Sequence, residues 1–246
     1  MIRVGRCLYD KKGKRTDPSF DGFTPIIVLM KSHSQWANLG PYDLTDDNGR
    51  IFESIYQFAK CYKEVPAITL HYSRYDPTII WSHPKEKHID DNGNLTQEYW
   101  NWREKGTNSK YAIRYPVGFK NRHKCLYAIK DKNDLTKLDY IESRKQIYVK
   151  LYCELVRKQP KFVELKNRLE AGENLLIIEV DAPHSESLNY YKEEYGVEDD
   201  FIENDTMIAT DENLMIMLND PKHPFGHGYC LAMALLDLDD ELINLL

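Results

Sequence analysis

No Cys-x-x-Cys pair occurs in this sequence, and its cysteines, Cys7, Cys61, Cys125, Cys153 and Cys230, are odd in number. That pattern argues against a disulfide frame and for reduced thiols. The opening residues, MIRVGRCLYDKKGKR, lack the apolar core of a secretory signal. No apolar run approaches membrane-spanning length. These absences lead to the expectation of a soluble, cytoplasmic protein with no membrane partner. There is no Walker loop and no G-x-S-x-G, so the phosphate loop and the nucleophile elbow have no support. Internal repeats, low-complexity tracts and linkers are also missing, and one domain over residues 1–246 is expected. A basic excess is lacking too. With 33 Lys and Arg against 39 Asp and Glu, the formal charge is −6, which disfavours a general nucleic-acid coat. A small basic pocket for one phosphate or nucleotide remains compatible with it.

What is there can build a core: 42% of residues are apolar, and the 29% that are charged mix both signs. TPIIVLMKS (24–32) reads as a strand. Asn-Gly in DDNGR leads into a helix expected from Ile51 to Lys63, limited by Pro66. Residues 64–134 read as an irregular, aromatic-rich insertion that includes Tyr72, Tyr75, Trp81, Trp100 and Trp102. It has one short helix, opened by Thr96 and closed by Gly106. Apolar periodicity predicts a long helix over 135–159, broken at Pro160, and a second ending near Gly172. NLLIIEVD (174–181) is a strand, helices follow at about 186–195 and 211–219, and GYCLAMALLDL is apolar nearly all round and so buried. The expected class is α+β, a mostly helical single domain with a small β-sheet.

Chemistry concentrates in a few places. Glu53, Tyr56, Gln57 and Lys60 fall at i, i+3, i+4 and i+7, on one helical face. Glu53 and Lys60 are then about 10 Å apart along the axis, beyond a direct helical ion pair. Two readings stand: a stripe facing a ligand, or a solvated face closed by Glu53–Gln57 and Gln57–Lys60 contacts. WANLGPY sets Trp36 and Asn38 beside a turn, either to stack on and hydrogen-bond a base or as an ordinary turn with a core tryptophan. Period two puts Glu179 and Asp181 on one strand face, about 7 Å apart. They would act as acid and base or as ribose ligands, or form a solvated edge. Gly226, His227 and Gly228 precede the buried helix, where backbone N–H groups can cradle a phosphate. Pro224 and Gly226 argue against a helical His223/His227 metal pair, and no Cys/His cluster completes one, so no metal and no cofactor are expected. His83 and His88 read as surface residues.

In order and character these pieces resemble the NADAR family, the YbiA-like N-glycosidases. WANLGP stands where members carry a Phe/Leu-Ser-Asn-Phe segment before a proline. Glu53, Tyr56, Gln57 and Lys60 match the family's Glu-x-x-aromatic-Gln-x-x-Lys helix. KFVELKNRLEAGENLLIIEV and HGYCLAMALL follow in the family's order. The chain departs in having DAPHSES where members carry Trp-Gly, and in its long 64–134 stretch. The resemblance implies a YbiA-like fold and cleavage of a base–ribose N-glycosidic bond. The implied substrate is a small nucleotide such as ADP-ribosylated guanine or a phosphoribosyl compound, with nucleic acid entering only as a modified-base substrate. Lys60 would be the nucleophile and Glu53 the acid/base. Tyr56, Gln57, Asn38, Trp36, Glu179, Asp181 and the Gly226–Gly228 turn would bind substrate. The alternative is a non-catalytic nucleotide or ADP-ribose binding protein. For the 64–134 stretch, Arg103, Arg114 and Arg122 beside its aromatics suggest a substrate-selecting flank, or else a cover over the core.

Overall fold

The computed structural model describes residues 1–29, 34–71 and 78–244. The end of the 24–32 strand candidate, and Tyr72 and Tyr75, lie outside the described residues. The fold is α+β with more helix than strand. The chain divides into two compact units, Met1–Leu44 with Val149–Leu246, and Thr45–Tyr148. The aromatic stretch 64–134 belongs to the second.

The first unit is built on a four-stranded sheet in the order Thr206–Ile208, Ile2–Arg6, Leu175–Glu179, Thr24–Ile27. Two of its three pairs are parallel, with Val4 opposite Ile177 and Ile177 opposite Ile26. Thr206–Ile208 runs antiparallel at one edge. All five residues of Leu175–Glu179 are buried. A continuous apolar run is the mark of a strand covered on both faces. One cover is the His227–Leu236 helix, in which His227 through Leu235 are all buried. That burial follows from its lack of any polar face. Pro160 does not merely break the preceding helix; it opens Pro160–Glu170, where its missing N–H costs nothing. Thr210 caps Asp211–Asn219 by accepting from the Asn213 N–H.

Among the described residues the second unit has no large sheet. Its strands form short antiparallel ribbons: Lys60–Tyr62 with Cys125–Ala128, Glu64–Val65 with Glu86–Lys87, and Ile68–His71 with Ile80–His83. An aromatic core of Phe58, Tyr62, Trp81, Tyr99 and Trp102 holds them. The helix capped by Thr96 runs Gln97–Thr107 and continues through Gly106. The glycine lies against the Phe58 ring, where a Cβ would overlap ring carbons, so close packing rather than chain termination explains it. His83 and His88 are not surface residues; they are 5% and 0% exposed. His88 packs on Trp102 at 4.6 Å and His83 on Trp81 at 5.5 Å between ring centroids. The predicted 135–159 helix is Tyr140–Ser143, a π-helical stretch Arg144–Val149, and Lys150–Arg157. The wide turn buries Arg144 and Lys145, each 2% exposed, where a regular 3.6-residue pattern would expose polar residues. Among the described residues no helix is long and apolar enough to cross a membrane.

Candidate functional site

The stripe forms, in altered geometry. The helix is Phe52–Ala59, and Lys60 already has extended backbone, ψ 139°, opening the Lys60–Tyr62 strand. Pairing of Ala128 with Lys60 and of Tyr127 with Cys61 overrides the helical pattern expected to reach Lys63. One side of the helix is anchored in the core: Phe58 packs on Trp102 at 4.4 Å, and the Ser54 hydroxyl accepts from the Ile113 N–H at 3.3 Å. The other side carries the polar residues. Gln57 Nε2 donates to Glu53 Oε1 at 2.9 Å, and Lys60 Nζ donates to Gln57 Oε1 at 2.8 Å. The Glu53–Gln57 and Gln57–Lys60 contacts therefore exist, but the face is not solvated. Glu53 is 4% exposed and Tyr56 7%, and Lys60 is half-buried.

Tyr56 is the hub of this cluster. Lys60 Nζ lies 4.5 Å from its ring centroid, and the Tyr148 ring packs on it at 4.8 Å. Its hydroxyl hydrogen-bonds Ser143, with Arg144, Tyr140 and Cys125 close by. Burial drives the phenol pKa upward, so Tyr56 stays a protonated donor. Burial also lowers the Lys60 pKa; Cys125 and Glu53 oppose that shift and Arg114 adds to it. Such an amine is uncharged over a wider pH range than an ordinary lysine. A neutral amine can donate to Gln57 while its lone pair points elsewhere. Cys125, Ser143 and Arg144 were not foreseen as neighbours of the stripe. They arrive through the Cys125–Ala128 strand and the helical turns after Asp139, distant in sequence.

The first unit's candidates have a different arrangement. The strand stops at Glu179 and the chain bends at Val180 and Asp181, so alternation does not place the two carboxylates on one face. Glu179 is 2% exposed, at a central strand rather than an edge. Its Oε2 lies 2.9 Å from His227 Nδ1, and its Oε1 accepts from the Gly228 N–H at 3.0 Å. Gly226 and Gly228 are small because this carboxylate sits against them; a Cβ on Gly226 would overlap it. The expected phosphate cradle is thus occupied by the chain's own Glu179, which meets the helix N-terminus as an external anion would. Asp181 is half-buried, its carbonyl accepting from the Gly226 N–H.

Trp36 is not an open stacking platform. It is 3% exposed, with Lys161 Nζ 4.9 Å and the Arg168 guanidinium 5.5 Å from its ring centroid. Asn38 is exposed, within the short turn Ala37–Leu39. Of the suspected selecting residues, Trp102 is 2% exposed and belongs to the core. Arg103 donates to the Tyr99 hydroxyl and to the Ile129 and Lys130 carbonyls. Trp102 is thus part of the core, and Arg103 ties the Gln97–Thr107 helix to the backbone after Ala128. A shallow depression of about 540 Å³, lined by Ile68, Thr69, Ser82, His83 and Lys105 among others, contains none of the stripe. All five cysteines are free thiols. Among the described residues no group of three or more His, Cys, Asp and Glu is placed to hold a metal ion. Compared with known proteins, the chain matches no family model, no curated protein and no solved structure.

Proposed function

We propose that this chain is an N-glycosidase that cleaves a base–ribose bond of a nucleotide-type substrate, ADP-ribosylated guanine or a related phosphoribosyl compound, in a reducing, cytoplasmic setting. The observation that carries the reading is the hydrogen-bonded line Glu53–Gln57–Lys60 ending in a half-buried amine of lowered pKa. The motif resemblance supplies the bond class. Lys60 Nζ bonds to C1′ as the bond from C1′ to the departing base breaks. The ring oxygen then leaves C1′ and takes up a proton, giving an imine. Water hydrolyses the imine, releasing the sugar and restoring the amine. Glu53 moves protons to the leaving base and from water. Gln57 holds the two side chains in register, and Tyr56 packs beneath the amine.

The test is incubation with ADP-ribosylated guanine, NAD and a phosphoribosyl-aminopyrimidine, with mass spectrometry of the products. Lys60→Ala and Glu53→Gln should each lower turnover by roughly 10²-fold or more while the far-ultraviolet circular dichroism is kept. Borohydride should trap a sugar on Lys60, only with substrate present. The trap should persist to lower pH than an ordinary lysine of pKa about 10.5 would allow. An active Lys60→Arg enzyme without an adduct would remove the covalent role, because Arg keeps the charge but is a poor nucleophile. Tight binding of ADP-ribose with no product from any substrate would favour a binding protein instead.

A further inference from the structure

Between Glu104 and Asp131 the chain carries no acidic residue, its longest such stretch, in a sequence with 39 Asp and Glu. Seven Lys and Arg fall inside it. Lys120, Arg122, His123 and Lys124 are all exposed, on the 3-10 turn Phe119–Lys124 that follows Gly118. Nearby ion pairs use other lysines, Lys85 with Glu64 and Lys130 with Asp134. Among the described residues no carboxylate pairs with Lys120, Arg122 or Lys124. The net charge of −6 hides this concentration. Residues 45–148 hold 18 Lys and Arg against 14 Asp and Glu, whereas the rest of the chain holds 15 against 25. Local sign matters for contact, because charges are screened over about 8 Å at physiological salt.

Aromatic rings alternate with these cations. Phe119 is 56% exposed, yet its position is held: the Arg122 guanidinium lies 3.6 Å from its ring centroid and Tyr115 meets it edge-on at 5.1 Å. Arg114 lies 5.2 Å over Tyr115 and Lys110 5.6 Å over Tyr111. A held, exposed ring offers a stacking face on the side away from Arg122. Lys120, Lys124 and Arg122, whose Nη1 donates to the Phe119 carbonyl at 2.7 Å, have no carboxylate partner among the described residues and offer themselves to phosphates. A single-stranded nucleic acid takes both at once, since each of its bases has a free π-face and each link a negative charge. A duplex keeps its bases stacked inside. A membrane surface would want a contiguous apolar face on an amphipathic helix, and Phe119 and Leu126 do not make one.

We propose that residues 105–130 form a binding surface for single-stranded nucleic acid, with a base stacked on Phe119 and phosphates on Lys120, Arg122 and Lys124. These observations are separate from those at Lys60, and the surface stands or falls independently of the glycosidase reading. The test uses the full chain and a fluorescently labelled oligo-dT or oligo-U of about 20 nucleotides, read by anisotropy between 50 and 200 mM salt. Affinity should fall with salt, with a log–log slope of about −0.7 for each phosphate contacted. Replacing Lys120, Arg122 and Lys124 together by Ala should flatten that slope by about 2. Phe119→Ala should weaken binding roughly 5- to 150-fold while leaving the slope unchanged. All four side chains are exposed, and a thermal melt verifies that each variant is folded. Failure to bind at the lowest salt overturns the proposal, as does binding that neither variant alters. Preference for anionic vesicles over the oligonucleotide, or equal binding of heparin with no effect of Phe119→Ala, overturns it as well.

Discussion

Two buried histidines, one in each compact unit, show how differently the units treat charge. His227 is 4% exposed and has an acceptor at each ring nitrogen: Glu179 Oε2 at 2.9 Å from Nδ1 and the Val28 carbonyl at 2.6 Å from Nε2. Burial alone would lower its pKa, but the carboxylate and the carbonyl reverse that, and the net shift is upward. A doubly protonated ring satisfies both acceptors. His88 is fully buried, and neither ring nitrogen has a hydrogen-bond partner. Burial pushes its pKa down to about 3, with a further small contribution from His83. The side chain and the burial are the same; the neighbours decide the charge. Around His227 is a sheet whose central strand offers a carboxylate, and around His88 are the rings of Trp102, Tyr99 and Tyr62.

The comparison breaks most visibly when the partner of each environment is removed. His227→Leu leaves Glu179 buried with its charge uncompensated, and should cost about 3–5 kcal/mol. Trp102→Ala removes the ring on which Phe58 and His88 pack, and should cost a similar ~3–5 kcal/mol through the cavity left behind. Chemical denaturation measures both. Hydrogen exchange should localise the first loss to Leu175–Glu179 and its sheet neighbours, and the second to the helices Phe52–Ala59 and Gln97–Thr107. A His227→Leu protein of unchanged stability would mean that the pair is not ionic.

Much of the first unit was legible in the sequence because its signals are local. The run LLIIE, the break at Pro160 and the all-round apolar helix after Gly226 each need only a few neighbouring residues to be read, as does the Thr96 cap in the second unit. The stripe was half legible. Spacing identified Glu53, Gln57 and Lys60, but the switch of Lys60 to extended backbone depends on a strand more than sixty residues away. Glu179 filling the Gly226–Gly228 notch could not be read either, since a glycine pair looks the same whether its space is kept for a ligand or for the chain itself. SHPKEKH has a polar composition that reads as surface. Only the alternation in IWSH, which buries Trp81 and His83 together, signals otherwise.

A pH series sharpens the contrast, because the two histidines act on opposite limbs. His88 has a folded pKa of about 3 against about 6.5 unfolded. Between those values the unfolded chain binds a proton that the folded one refuses, so stability falls as pH falls. The loss is at most about 1.4 kcal/mol per pH unit, or ~2 kcal/mol from pH 6.5 to 5. The folded pKa of His227 is raised. Its contribution is fully present below about 6.5 and is lost as pH rises through the folded value. Denaturation midpoints measured from pH 5 to 9 should therefore lose the alkaline decline in His227→Leu and keep the acid one. The opposite result would mean that the two protonation states are exchanged.

The smallest effect at neutral pH is expected from His88→Leu. Leu is close to His in volume, so the aromatic core can accept it at less than about 1.5 kcal/mol. Two terms oppose each other. The ring contacts with Trp102 at 4.6 Å and Tyr99 at 5.2 Å are lost, at a cost of about 0.5–1.5 kcal/mol. In exchange, two buried nitrogens without hydrogen bonds are removed, which recovers part of their desolvation penalty of about 1–3 kcal/mol. Near pH 7 the sum should lie close to zero. Toward pH 5 it should turn clearly in favour of the variant, because Leu does not titrate and the wild type loses ~2 kcal/mol there. A variant less stable than wild type by 3 kcal/mol or more at pH 7 would show that His88 makes a strong hydrogen bond, as to a buried water bridging the ring to Trp102 Nε1, itself a donor without a partner. An acid limb that survives the substitution unchanged would show that the titrating group lies elsewhere, with the neighbouring Glu86, whose carboxyl pKa burial raises, the first to replace.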